Sequence, residues 1–327
     1  MTTGDRSALV TGAGGFIGSH LTALLLQEGW RVRALVHYNG AGRHGWLEGR
    51  EHPALEVVMG DVNDPAQMRT VAQGCDTIFH LAALIAIPYS YVAPHSYVQT
   101  NVVGTLNLLE AARQAGVGRF IHTSTSETYG TARYTPIDEQ HPLQGQSPYS
   151  ATKIGADKLV ESYWRSFGLP AITVRPFNTY GPRQSARAVI PNIIVQALAG
   201  PEVKLGALDP VRDLTFVGDT AAGFLAAALA PAEALGQTIN LGTGEAVTIG
   251  ELAELIFAEL GGGFRIVADE ARMRPAQSEV FKLISDNRLA AQLVGWTPRI
   301  GLAEGLRHTI AWLREHRHLY RPREYAR

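Results

Sequence analysis

A single cysteine, Cys75, leaves the chain no internal disulfide and no thiolate cluster for a metal. No apolar run reaches the roughly 18 residues that a membrane-spanning helix requires. The first residues, MTTGDRSALV, lack the basic-then-apolar order of a secretory signal. Neither sign of charge dominates, with 29 Lys and Arg against 30 Asp and Glu. A nucleic-acid or membrane-surface partner would leave a basic excess or patch, and the sequence has none. Internal repeats and low-complexity linkers are missing as well. These absences predict a soluble, cytoplasmic protein without a bound metal. What the chain has is apolar mass. Of its 327 residues 46% are hydrophobic, enough for one large domain or two smaller ones.

Short apolar strands alternate with amphipathic helices through the first half. Strands are predicted at 7–10, 31–36, 55–59, 77–81, 119–123 and 171–175, and helices at 16–27, 97–115 and 149–167. That alternation predicts an α/β fold with a Rossmann-type, doubly wound parallel sheet, its sites at the C-terminal ends of the strands. Beyond Arg175 the pattern changes. Helices are expected at 188–199, 219–229, 249–260 and 302–316, an exposed strand at 211–217, a last strand at 238–241 and a loop at 269–275. The expected division is a dinucleotide-binding domain of 1–180 plus about 213–241. A smaller, mixed C-terminal substrate lobe takes about 181–212 plus 242–327.

The first strand runs directly into TGAGGFIG, Thr11 to Gly18, and then a helix. In that frame Gly12 permits the tight turn, Gly15 lets the backbone approach a pyrophosphate, and Gly18 allows close helix–strand packing. The helix N-terminus offers the phosphates free N–H groups and a positive dipole end. The second strand ends at His37, Tyr38 and Asn39, with no carboxylate for an adenosine ribose. The nearest arginine is Arg43. The expected cofactor is NAD, with NADP left open. Asp61 after the third strand is placed at the adenine amino group. The small residues of HLAA, His80 to Ala83, let backbone pass close to the cofactor, with His80 itself a packed strand residue. The cofactor-facing set is Gly12, Gly15, Phe16, Ile17, Gly18, Asp61, Val62, Leu81, Ala82, Ala83 and Asn101, together with Tyr149 and Lys153.

The stretch from His122 to Lys153 carries the chemistry. Thr125, Ser126 and Glu127 follow the fifth strand, and Tyr149 and Lys153 lie four residues apart, on one helix face. A tyrosine beside an ammonium group and a nicotinamide charge is drawn toward phenolate and can act as base for a secondary alcohol. Thr125 can orient that alcohol. Once a sugar is oxidised at carbon 4, its carbon 5 hydrogen becomes acidic and Glu127 can remove it. Ser126 has no useful acidity, so Glu127 is the candidate to return the proton to the hydroxyl leaving carbon 6, where the stored hydride can then return.

At TGAGGFIG, HLAA, the Thr125–Glu127 triplet and the Tyr149/Lys153 pair the chain resembles the extended short-chain dehydrogenase/reductase family over nearly its full length. More narrowly it resembles the nucleotide-sugar 4,6-dehydratases, especially the N-acetylglucosamine-type enzyme of legionaminic acid pathways. TSTSETYGTA, PIDEQHPLQGQSPYSATKIGADK, RPFNTYGPRQSARAVIP and RPAQSEV carry that likeness. The resemblance implies Thr125, Ser126, Glu127, Tyr149 and Lys153 as catalytic residues. It implies Asn178, Arg183, Val189, Arg212 and Arg274 as substrate-binding residues, the two last converging on a diphosphate. Many dTDP-glucose dehydratases have Asp where this chain has Ser126. GDP-mannose dehydratases and UDP-glucuronate decarboxylases share the serine, so the triplet alone does not separate dehydration from decarboxylation. The implied partner is a UDP- or GDP-linked sugar, and the implied assembly is a homodimer pairing helices 97–115 and 149–167 in a four-helix bundle. UDP-glucuronate decarboxylase, UDP-sugar 4-epimerase, a dehydratase without hydride return and a non-enzymatic NAD(P)-sensing regulator are the alternatives.

Overall fold

The computed structural model describes residues 6–272 and 278–321. In chain order the first half comprises β1 (Ser7–Thr11), α1 (Phe16–Gln27), β2 (Arg31–His37), β3 (Leu55–Gly60), α2 (Pro65–Ala72) and β4 (Thr77–His80). Then come α3 (Ile87–Val92), α4 (Pro94–Tyr97), α5 (Gly104–Ala115), β5 (Arg119–Thr123), α6 (Pro148–Phe167) and β6 (Ala171–Pro176). The second half adds β7 (Asn178–Tyr180), α7 (Val189–Ala197), β8 (Glu202–Leu205), β9 (Val211–Arg212), β10 (Leu214–Phe216) and α8 (Val217–Leu229). The remaining elements are β11 (Thr238–Leu241), β12 (Val247–Thr248), α9 (Ile249–Leu260), β13 (Arg265–Ala268), β14 (Lys282–Leu283), α10 (Arg288–Val294) and α11 (Leu302–Glu315).

Seven parallel strands form the main sheet in the order β11-β6-β5-β4-β1-β2-β3. Strand order reverses between β1 and β4, and a crevice opens there at the strands' C-terminal ends. Both sheet faces are covered, which is why β1 is buried along its whole length. Ala8 and Val10 point to one core with Leu21, Leu25 and Phe224, under α1 and α8. Leu9 points to the other, with Met68, Leu108 and Val160 from α2, α5 and α6. A third core, around Ile190, Ile193, Leu252, Ile256 and Leu306, joins α7, α9 and α11 beyond the crevice.

Several expectations are corrected. The segment 211–217 is not one exposed strand; β9 and β10 split at Asp213, and residues 212–215 are buried. They split because β9 pairs with β12 and β14, whereas β10 pairs with β7. Nor is β11 the last strand, since β12, β13 and β14 follow in small sheets. The predicted helix 97–115 begins earlier, at Pro94, and contains a π-helical segment, Val98–Val103. Helices α2, α3 and α10 were not anticipated; each is short and two begin with proline in the first turn. Residues 273–275 of the expected loop lie outside the described residues; within the rest, 270–272 form a 3₁₀ turn. Among the described residues no helix is long and apolar enough to cross a membrane.

Candidate active site

A continuous cavity of about 1330 Å³ occupies the crevice. Its first wall is the glycine loop. Gly12 has φ 68°, and a Cβ there would sit 2.9 Å from the Ala82 nitrogen. A Cβ on Gly18 would come within 2.2 Å of the Gly12 carbonyl oxygen. Helix α1 begins at Phe16, after Gly15 at the cap position, with no side-chain cap and no acidic residue in its first turn, so its leading N–H groups remain available to an anion. Thr11 Oγ1 accepts hydrogen bonds from the Leu81 and Ala82 N–H groups, 3.1 Å each, fixing the loop after β4 against β1. Gly12, Gly15, Phe16, Ile17, Gly18, Asp61, Val62 and residues 81–83 all line the cavity. This cradle fits a dinucleotide.

Thr125, Ser126, Glu127, Tyr149 and Lys153 line the same cavity. Beyond β5, Thr125 is extended and its Oγ1 accepts from the Glu127 N–H at 3.3 Å, starting a 3₁₀ turn, Ser126–Tyr129. Across from it, a reciprocal Ser147/Ser150 capping box starts α6, and Pro148 takes the first helical position. Tyr149 and Lys153 therefore project from the first turns of a well-anchored helix. Lys153 Nζ donates to the Thr123 carbonyl at 2.5 Å, tying α6 to the end of β5. The Thr125 hydroxyl hydrogen-bonds Tyr149, and the Glu127 carboxylate is close enough to act on the same phenol.

Within the protein itself, burial sets the electrostatics of Tyr149. Burial dominates and raises its hydroxyl above the ordinary tyrosine value; the Thr125 hydrogen bond opposes this, and Glu127 adds to it. Burial also pushes the Lys153 ammonium down to about 8, against the pull of Asp157. Asp157 lies one turn beyond Lys153 and is buried with Arg175, whose Nη2 donates to it at 2.8 Å. Ser124 Oγ also donates to Asp157, at 2.7 Å, and His122 Nε2 lies 3.2 Å away. This buried cluster was missed from sequence, although the four-residue step from Lys153 to Asp157 marks it.

Several further placements matter. Asn101 was expected at the cofactor, but it is 1% exposed and does not line the cavity. Its amide exchanges hydrogen bonds with Leu84 and donates to Thr152, so it shapes the loop after β4 from behind. Arg183 was expected at the substrate; instead it leans on α1, with Nη1 donating to Ser19 Oγ at 3.2 Å, and it too is absent from the cavity wall. Arg274 lies outside the described residues. Asn178, Val189 and Arg212 do line the cavity. Arg212 Nη2 donates to Glu279 at 3.1 Å. Arg272, not anticipated, lines it too, bonded to Asp269 and Asn192. His80 is buried in β4 between Thr11 and Thr105 hydroxyls, as a packed strand residue should be.

A family model described as GDP-mannose 4,6 dehydratase matches residues 9–309. A dTDP-glucose 4,6-dehydratase of Streptomyces antibioticus is 34% identical over 322 residues, covering 96% of this chain and 94% of that protein. A UDP-glucose 4-epimerase of Mycolicibacterium smegmatis is also 34% identical, covering 94% of this chain and 98% of its own. Among solved structures, DesIV of Streptomyces venezuelae, a dTDP-glucose 4,6-dehydratase with NAD bound, superposes with a TM-score of 0.87. It is 32% identical, and the match covers 97% of this chain and 99% of that one.

Proposed function

Because this chain belongs to the nucleotide-sugar 4,6-dehydratase and epimerase family of extended short-chain dehydrogenase/reductases, we propose that it is a 4,6-dehydratase of UDP- or GDP-N-acetylglucosamine. The observation that carries dehydration is Glu127. Its carboxylate shares the cavity wall with Thr125, Tyr149 and Lys153 and acts electrostatically on Tyr149. The glycine loop and the first turn of α1 would hold the pyrophosphate of NAD, with Asp61 and Val62 near its adenosine end. When bound, NAD would supply a positive charge and a reversible hydride acceptor, so that the hydride lost from carbon 4 is regained at carbon 6 and water is the only net loss.

Thr125 orients the carbon 4 hydroxyl, and Tyr149 accepts its proton. The 4-ketone makes the carbon 5 hydrogen acidic, and Glu127 removes it. Glu127, now a carboxylic acid, returns that proton to the hydroxyl departing from carbon 6. Ser126, buried in the same turn, offers no second carboxylate, so one glutamate serves both steps. Arg212, with Asn178, supports a diphosphate through charge-assisted hydrogen bonds. We also propose a homodimer paired through α5 and α6, and a division into the two lobes expected from sequence.

A second reading is UDP-glucuronate decarboxylation. Arg187 lines the cavity, and its charge reaches Tyr97, whose ring packs edge-on against Tyr149 at 6.3 Å. A cation there suits a substrate carboxylate. Incubation of the purified protein with UDP-glucuronate and, separately, with UDP- and GDP-N-acetylglucosamine, followed by mass spectrometry, separates the readings. Loss of one water is expected from one of them. Unchanged mass with both, or loss of carbon dioxide from UDP-glucuronate, would overturn the dehydratase assignment.

A further inference from the structure

We propose that the adenosine-ribose end of the cavity accepts a 2′-phosphate, so that the chain binds NADPH at least as readily as NADH, with Arg43 as the anion's partner. The inference rests on the nicotinamide-cofactor reading above and concerns the far end of that cofactor. A carboxylate after the second strand would accept the ribose 2′-hydroxyl and repel a phosphate. Residues 37–47, HYNGAGRHGWL, contain no Asp or Glu. Instead His37, Asn39, Arg43 and His44 line the cavity where β2 ends.

The loop that carries Arg43 has a fixed path. Asn39 Nδ2 donates to the Arg43 carbonyl at 2.7 Å, and the Arg43 N–H donates back to Asn39 Oδ1 at 3.0 Å. The Trp46 N–H donates to the Gly14 carbonyl at 2.9 Å, which pins the loop against the glycine turn. Gly45, at φ 65°, allows that approach, since a Cβ there would lie 2.4 Å from the same carbonyl oxygen. Asn39 thus has its amide committed to the loop and is a poor substitute for a ribose-binding carboxylate.

The nearby carboxylates are also engaged. Glu48 accepts from the His44 N–H at 2.9 Å, and Asp61 Oδ1 accepts from the Asn63 N–H at 2.9 Å. Arg43 is exposed and forms no ion pair among the described residues. A phosphate with about two negative charges is the ligand such a guanidinium binds well, through paired charge-assisted hydrogen bonds.

The test is binding, measured without sugar substrate. NADH and NADPH are titrated into the purified full-length chain by calorimetry, for the wild type, Arg43→Ala and His37→Asp. NADPH should bind within threefold of NADH or tighter. Arg43→Ala should weaken NADPH at least fivefold more than NADH, and His37→Asp, which restores a carboxylate, should shift preference toward NADH. Wild-type preference for NADH beyond threefold, or equal losses in Arg43→Ala, overturns the proposal while leaving the dehydratase reading intact. If neither dinucleotide binds, the cofactor reading of the cavity falls and this one with it.

Discussion

At the residue scale, the question is what one carboxylate can do alone. Glu127 sits in a tight turn next to a buried serine, and the turn is capped by a threonine whose hydroxyl bonds Tyr149. If it is both base and acid, Glu127→Gln preserves shape and hydrogen-bonding reach but removes proton transfer. Turnover should then fall by about 10²–10⁴-fold. Oxidation at carbon 4 depends on Tyr149 and should persist, so the absorbance of reduced nicotinamide should accumulate when substrate is added. A variant that eliminates water at the normal rate would remove Glu127 from the mechanism. Tyr149 shows where sequence spacing reaches its limit. Its four-residue step from Lys153 is plain in the sequence, but the burial that raises its pKa arises from the packing of α3, α4 and α6 around it.

At the element scale, α6 does more than present two side chains. Its Lys153 and Asp157 are both buried, and Asp157 is also held by Arg175 from β6 and Ser124 after β5. Folding therefore places an ammonium where solvent cannot reach it. Its pKa is lowered from 10.5 to about 8, so between about pH 8 and 10 the unfolded chain holds the extra proton. Stability conferred by this site must rise with pH across that window. Relative to Lys153→Met, the wild type should gain up to about 3 kcal/mol, read from urea melts at successive pH values. A flat difference would mean the amine is solvated. Elements with strong period were legible: α1, β5, β11 and α9 fall at the residues expected from sequence. The short strands β12 and β14 and the π segment were not, because they are fixed by partners distant in the chain. Arg183 and Asn101 were misplaced for the same reason. Their motif positions lie beside the cavity, but their side chains point to Ser19 and to Leu84.

At the scale of the whole molecule, an apolar surface remains on the side of α5 and α6. Val98 is 47% exposed and Leu106 36%, while Val102 and Ile154 are half-buried beside them. Burying such side chains against a second copy contributes about 25 cal/mol for each Å² removed from water. A two-fold axis along these helices lets one patch cover its equivalent, which is how most dimers close. The same helices carry Tyr149, Lys153 and the residues behind them, so pairing would brace the catalytic face. The native chain should therefore elute and scatter light as a dimer at micromolar concentration. Leu106→Glu, which puts a charge on its own copy across the axis, should give a folded monomer with unchanged far-ultraviolet dichroism. A wild type that is monomeric at those concentrations, or a Leu106→Glu variant that still pairs, would place the contact elsewhere or remove it.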